Sequence, residues 1–458
     1  MTYSVPPSHI STYTQQLAQE GVSLLTFRRL AATESDHVAE MLRIMDVPYG
    51  GHVCDMGSGT GEFPRLAALH RPDIQFTVVN DDEWQLSQSP ESCTPVLADM
   101  TRTPLPDASF DVVLLAYAVG HCDVIAAVRE AHRLLVPGGK LIVHDQFARD
   151  HGKQAEFLEA LHYSLHMLPE WGVWADLLGF TSSGFKQDDF IAPGTIVDSV
   201  VTSGLLDNLD HGVLTLTKTH APKLSGGRTA LQFSGGKDSL ACLYLLRPFL
   251  PEITVYHLDT GDQVPETVAL VSQVRGMAPD FRVIPSDVVS WRNANGYPSD
   301  LVPAKAHWIG VAHGLNAFAL TNRFDCCWAN LMLPMHNRMA EDGVQTLIRG
   351  TKLCDTGKVP HEGDSGVYNV VLPIKNWSHE QVFSYLAAVG APKNAIYEHY
   401  KNISAPECLG CTAWWDDGKA AYLRDKHPDK YIEYRANLSA IVQAVTSHMA
   451  DLYGELKE

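Results

Sequence analysis

Two glycine-rich strings and two cysteine pairs are the parts of this sequence whose residue types and spacing point to chemistry. Asp55-Met-Gly57-Ser-Gly59-Thr-Gly61 places glycine at every second position behind an acid, and glycine lets a backbone turn tightly and approach a ligand closely. Further on, Asn80-Asp81-Asp82 offers polar side chains able to bond ribose hydroxyls, and Asp99 adds an acid in Leu97-Ala-Asp-Met100. The second string, Ser234-Gly235-Gly236-Lys237-Asp238-Ser239, exposes successive backbone N–H groups ahead of an apolar helix. With the point charge of Lys237 it suits an anion such as pyrophosphate. Its spacing is not that of a Walker loop. Cys326-Cys327 and Cys408-Leu-Gly-Cys411 supply the four sulfurs that tetrahedral zinc or a 4Fe–4S cluster requires. Adjacent cysteines fit a cluster, whose irons separate their ligands, better than one zinc ion; four unrelated thiols is the remaining reading.

These strings need elements to hold them. Apolar residues at helical spacing, Tyr13, Leu17, Leu24, Leu25, Val38, Met41, Leu42 and Met45, predict helices between residues 10 and 47, expected to form a lid. From Gly51 short apolar runs alternate with helical stretches: strands at His52–Met56, Ile74–Asn80, Phe110–Ala118 and Lys140–His144, helices at Glu62–His70 and Ile125–Leu135. Such alternation builds a parallel sheet with helices on both faces. A polar stretch with Pro and Gly, Leu216–Arg228, predicts a linker, and the chain is cut near residue 221 into domains 1–220 and 222–458. The alternation then restarts, with strands at Thr229–Phe233, Ile253–Leu258 and Arg282–Ile284 and helices at Ser239–Leu246 and Glu266–Arg275. The fold class expected is α/β, two doubly wound domains without internal repeat.

A length of 458 residues accommodates two or three domains, and 45% hydrophobic with 19% charged residues is an ordinary globular composition. No run of 18 apolar residues occurs, and Met-Thr-Tyr-Ser-Val-Pro-Pro lacks the regions of a signal peptide, so the expectation is a cytoplasmic protein without membrane contact. Nine cysteines, an odd number, read as reduced thiols or metal ligands. The net charge of −18 is uneven. Residues 1–220 hold 13 basic against 28 acidic side chains, net −15; the remainder hold 22 against 25, net −3. A surface that acidic repels phosphate backbones, so small-molecule substrates are expected. A local patch of Arg323, Arg338, Arg349, Lys352 and Lys358 keeps nucleic acid open as a lower-ranked partner. The sequence sets no oligomeric state.

The ordered set Asp55–Gly61, Asn80–Asp82, Asp99, Ser109-Phe-Asp-Val-Val113 and Val136-Pro-Gly-Gly-Lys140 resembles the class I S-adenosylmethionine-dependent methyltransferases over residues 45–150. The resemblance implies a Rossmann-like fold in which Asp55, Gly57, Gly59 and Gly61 hold the amino-acid part of the cofactor. It gives Asn80 or Asp81 the ribose and Asp99 the adenine amino group, and looks closest to members that alkylate small molecules at carbon or oxygen. A hydride-transferring dehydrogenase competes; the acid-led loop argues against its spaced glycine pattern. No base is assigned among His121, His144, His162, His166 and Tyr117, and Trp171 through Phe180 reads as core before acceptor pocket.

The second string resembles the PP-loop of the ATP pyrophosphatase superfamily. His257-Leu-Asp259-Thr-Gly261 through Thr267, Gly350-Thr-Lys352, and Pro373-Ile-Lys-Asn-Trp377 through Tyr385 resemble its phosphoadenosine-phosphosulfate reductase branch, with an adenine nucleotide α-hydrolase-like fold. The likeness implies ATP with Mg²⁺, cleaved between α and β phosphates to adenylylate a substrate. Lys237 and Asp238 would be catalytic, Asp238 helping to hold Mg²⁺. Ser234, Gly235, Gly236, Ser239, Asp259, Gly261, Gly350 and Lys352 would bind ATP. The cysteine pairs are similar to those of iron–sulfur adenylylsulfate reductases, which implies a 4Fe–4S cluster on Cys326, Cys327, Cys408 and Cys411. The chain departs from the reductases in having no cysteine after Cys411, where they carry a nucleophile; Cys354 is the nearby spare. With the phosphate loop intact, ATP activation is expected ahead of sulfate reduction. The alternatives are such a reductase with an appended methyltransferase and a non-catalytic, cluster-bearing sensor or structural protein.

Overall fold

The computed structural model describes residues 28–29, 34–152, 164–187, 189–190, 209–224, 227–356, 361–399, 408–415 and 418–457. The chain divides into two compact units, Met1–Ser225 with Ala388–Gly390, and Gly226–Ala387 with Ala391–Glu458.

In the first unit the elements run α1 (Glu34–Met45), β1 (His52–Met56), α2 (Glu62–His70), β2 (Gln75–Asn80), β3 (Thr94–Leu97), β4 (Phe110–Ala116), α3 (Val124–Leu134), β5 (Leu135–Ala148), α4 (Leu168–Leu177), β6 (Phe180–Gln187) and β7 (Leu209–Lys218). Sheet order is β3-β2-β1-β4-β5-β7-β6. The first five strands are parallel; β7 is antiparallel to both neighbours. Strands β1 and β4 are buried almost throughout because a doubly covered parallel sheet buries both faces. Asp123 starts α3, its Oδ1 accepting from Ile125 N at 3.0 Å and Ala126 N at 3.1 Å.

The expected lid is not what α1 forms. Val38, Met41, Leu42 and Met45 are buried with Val53, Phe63, Phe76, Val112 and Leu114 in the core of the sheet, because one apolar stripe is the right width to cover strands. The predicted helix between residues 10 and 27 lies outside the described residues. Strand β5 runs well beyond the expected Lys140–His144, since β7 pairs with it from Ala148 back to Lys140. That strand also takes Leu216–Lys218 out of the expected linker.

The second unit runs β8 (Arg228–Gln232), α5 (Lys237–Leu245), β9 (Ile253–Asp259), α6 (Pro265–Val274), β10 (Phe281–Pro285), α7 (Val288–Asn295), α8 (Arg323–Cys327), α9 (Leu333–Glu341), β11 (Val344–Ile348), β12 (Gly363–Asp364), β13 (Asn369–Val371), α10 (His379–Ala388), α11 (Lys419–Lys426) and α12 (Pro428–Glu455). The order is β10-β9-β8-β11-β13-β12, parallel except for the edge strand β12. Ala230, Tyr256, Leu258, Ile284, Met335, Met339 and Leu347 form a core of this sheet. Both units are therefore doubly wound α/β sheets. In each, the chain leaves the central first strand to one side and returns with the fourth on the other, which creates a crevice at the carboxyl ends of those two strands. No helix among the described residues is long and apolar enough to cross a membrane.

Candidate functional site

The first crevice lies at the ends of β1 and β4. Gly57, Gly59 and Gly61 have φ of 76°, 55° and 70°, the left-handed region that favours glycine. A Cβ on Gly57 would stand 2.6 Å from the Ala118 Cβ, so the loops after β1 and β4 touch there. The amides of Gly57 and Ser58 donate to Val79 O at 2.9 and 3.1 Å, and Ser58 Oγ is buried without a hydrogen-bond partner. Burial alone pushes the Asp55 carboxyl up to about 7. Asn80 is spent on the loop itself: Nδ2 donates to Gln85 Oε1 at 2.9 Å and Gly59 O at 3.3 Å, and Oδ1 accepts from Asp82 N at 2.9 Å. Asp81 and Asp99 are exposed; Asp99 Oδ1 accepts from Thr101 N and Oγ1, both at 2.8 Å.

Two of the candidate bases meet beside this crevice. The Tyr117 hydroxyl is 2.6 Å from His144 Nε2, and Tyr117 holds a left-handed φ of 54°, strained for a bulky residue. His166 is packed against Trp174 with ring centroids 5.1 Å apart, and burial lowers its pKa to about 4, which keeps it neutral. His162 lies outside the described residues. Trp171, Trp174 and Phe180 are buried and belong to the core.

In the second unit the phosphate loop joins β8 to α5. Ser234 N donates to Ser239 Oγ at 3.2 Å, and Gly236 N to Ser234 Oγ at 3.3 Å. Gly235 has φ 83°, and a Cβ there would meet Thr267 Cγ2 at 2.7 Å. Gly350, past the end of β11, is as constrained, since its Cβ would lie 2.8 Å from the Asp238 backbone. The loops after the first and fourth strands thus touch here as in the first unit.

Around this junction two buried ammonium groups share carboxylates. Lys237 Nζ donates to Asp238 Oδ2 at 2.9 Å. Lys352 Nζ donates to Asp238 Oδ1 at 2.6 Å and to Asp355 Oδ1 and Oδ2 at 2.9 and 3.2 Å. Burial opposes the charge of Lys352, but its bonds to Asp238 and Asp355 outweigh it and hold the pKa above the ordinary lysine value. Asp238, expected to help hold Mg²⁺, accepts from a lysine on each carboxylate oxygen and keeps a further lone pair on each. Asp259 Oδ1 accepts from Gly261 N at 2.9 Å and shapes the turn after β9.

Cys326, Cys408 and Cys411 gather with Val288 and Trp291, and Cys327 follows Cys326 at the end of α8. Among the described residues no three of the four sulfurs fall within 4.8 Å of one another, whereas Zn–S bonds of about 2.3 Å would hold them ~3.8 Å apart. Two buried cations face them. Arg292 Nη1 donates to Asp262 Oδ2 at 2.6 Å, while its Nε is buried without a hydrogen-bond partner. Burial disfavours this guanidinium, but Cys408, Asp262, Cys411 and Cys326 outweigh burial and raise its pKa. Lys419 Nζ donates to Cys408 O at 2.9 Å and Cys411 O at 2.7 Å.

Several residues of these sites carry no sequence signal. The Tyr397 hydroxyl accepts from Lys237 N at 2.9 Å, and Asn394 Nδ2 donates to Gly235 O at 3.1 Å. Asp355 joins them through Lys352, three residues away, and Lys419 through Cys408 and Cys411, while the Arg292–Asp262 and His379–Asp355 contacts span 30 and 24 residues.

Residues 54–143 match the methyltransferase domain family and residues 228–299 the phosphoadenosine phosphosulfate reductase domain family. A malonyl-[acyl-carrier protein] O-methyltransferase from Dechloromonas aromatica is 33% identical over 121 residues, 25% of this chain and 46% of that protein. A ubiquinone/menaquinone biosynthesis C-methyltransferase from Caulobacter sp. is 28% identical over 142 residues, 27% of this chain and 55% of its own. The chain spans about half the length of these curated relatives. A solved geranyl diphosphate methyltransferase in complex with SAM aligns at TM-score 0.37 and 11% identity over 41% of this chain and 86% of its own. The chain is a fusion of a Rossmann-like methyltransferase domain with a domain of the phosphoadenosine phosphosulfate reductase type, the PP-loop fold.

Proposed function

We propose that the protein is a bifunctional enzyme whose first unit transfers a methyl group from S-adenosylmethionine to a small molecule and whose second adenylylates a substrate with ATP, releasing pyrophosphate. One observation carries this reading: in both units a loop with left-handed glycines ends the central strand and meets the loop after the fourth strand, in the crevice where doubly wound sheets bind ligands.

In the first unit the orphaned Ser58 Oγ and the buried Asp55 fit a polar, cationic ligand end. Bound there, S-adenosylmethionine would supply an electrophilic methyl on a sulfonium. The chain's own part is to align the acceptor and exclude water. The named relatives are an O-methyltransferase of malonyl-[acyl-carrier protein] and a C-methyltransferase of ubiquinone/menaquinone biosynthesis, which supports methyl transfer to oxygen or carbon.

In the second unit Lys237, Lys352 and the amides of Gly235, Gly236 and Lys237 would stabilise the pyrophosphate as a substrate oxygen attacks the α phosphorus. Mg²⁺ would be held by the phosphates of ATP with help from Asp238. Cys326, Cys327, Cys408 and Cys411 would hold a 4Fe–4S cluster, a reading supported by the packing of three of them together and by Arg292, whose buried Nε has no hydrogen-bond partner, beside them. A cluster there would supply a one-electron centre.

Titration calorimetry on the full chain tests both halves. Both S-adenosylmethionine and Mg·ATP should bind, and Lys237→Ala should weaken ATP alone; failure of the wild type to bind either ligand removes that half of the reading. A second reading, reduction of an adenylylated sulfur compound, is favoured by the exposed Cys354 two residues from Lys352. Thioredoxin-dependent sulfite release from adenylylsulfate, with the dithiol supplying the two electrons, lost in Cys354→Ser, would establish it in place of adenylylation.

A further inference from the structure

Beside the phosphate loop a second group of side chains converges, of which the readings above use only Cys354, in the reductase alternative. Cys354 and Asp355 sit on the short helix Leu353–Thr356, and His379 begins α10. Each brings one ligand atom within 4.8 Å of the other two.

Each member is prepared for a ligand. Asp355 is oriented by Lys352, whose backbone N donates to Oδ2 at 2.9 Å and whose Nζ donates to both oxygens. An oriented carboxylate keeps further lone pairs available, and such outer partners are what position metal ligands. His379 Nε2 lies 3.8 Å from Asp355 Oδ1, and His379 Nδ1 is buried with no hydrogen-bond partner. Cys354 is exposed, its thiol donating to Trp377 O at 3.4 Å.

One sulfur, one imidazole nitrogen and one carboxylate oxygen form a borderline-soft donor set. Mg²⁺ and Ca²⁺ take oxygen; this mixture suits zinc. We propose that Cys354, Asp355 and His379 form a zinc site with three protein ligands and an open fourth position beside the phosphate loop. Three protein ligands plus an open position is the arrangement of catalytic rather than structural zinc. Loading draws the ligand atoms together by about 1 Å, which the exposed Cys354 and Asp355 side chains permit. Cys354 binds as thiolate and its proton leaves to solvent; nothing is oxidised or reduced. The site shares no residue with the Cys326, Cys408 and Cys411 group, and it stands whether or not ATP is the substrate.

Alkylation reads the site directly. The full-length protein, freed of loosely bound metal, is treated with iodoacetamide at increasing Zn²⁺, and modification of the Cys354 peptide is followed by mass spectrometry. Zn²⁺ should protect Cys354 in the wild type. His379→Gln should require more than about 10-fold higher zinc for equal protection, because loss of a direct ligand exceeds the 10–100-fold effect of an outer partner at its lower end. His379→Cys should restore protection. An unchanged zinc-free alkylation rate in His379→Gln shows that the fold around Cys354 is intact; a changed rate moves the comparison to His379→Cys, whose loss of protection would then overturn the proposal. Equal alkylation of the wild type with and without Zn²⁺, or equal protection in His379→Gln, also overturns it.

Discussion

At the scale of single residues, Asp55 sets a testable pH dependence. Its carboxyl titrates near 7 because burial penalises the charge, and the ammonium of a bound S-adenosylmethionine would favour the ionised form. Binding should therefore expel a proton below pH 7. Affinity should rise with pH up to about 7 and then level, with a loss of up to about tenfold for each pH unit below it. Asp55→Asn should bind more weakly and show a flat profile between pH 5.5 and 7; a wild-type affinity independent of pH over that range would remove Asp55 from the ligand's charged end. Asp55 was readable from the sequence because the glycine string that follows it is local. Tyr397 and Asn394 were not, since they reach the phosphate loop across more than a hundred residues and no spacing rule connects them.

Elements explain which parts of the fold the sequence betrays. Helix α2 begins and ends where its pattern predicts, and β1, β2 and β9 lie within a residue of expectation, because buried parallel strands are continuous apolar runs. Strand β6 went unread: after Phe180 every residue through Gln187 is exposed, so neither alternation nor an apolar run marks it. Its existence depends on pairing with β7, a tertiary fact. The start of α3 is equally specific. Asp123→Ala removes the acceptor for two otherwise unpaired amides and should destabilise the first unit by about 1 kcal/mol. Differential scanning calorimetry should show one transition lowered by a few degrees and the other unmoved.

For the whole molecule, the two units have separate cores and separate crevices, and the charge divides with them: net −15 before residue 221 and −3 after it. Gly57→Ala places a methyl 2.6 Å from Ala118, and Gly350→Ala places one 2.8 Å from the Asp238 backbone. Overpacking of this kind costs about 1–3 kcal/mol. The first substitution should lower S-adenosylmethionine affinity at least about fivefold and spare ATP, the second the reverse; loss of both ligands in either variant would contradict independent sites. The same long-range closure orders events on the ribosome. The first sheet has its last strand once Lys218 has emerged, whereas the phosphate loop at Ser234–Ser239 lacks its supports until Asn394 and Tyr397 follow, 159 and 160 residues after their loop partners. At about 5–20 residues per second that interval is roughly 8–32 s, during which the nascent chain carries a finished first sheet and an open phosphate loop.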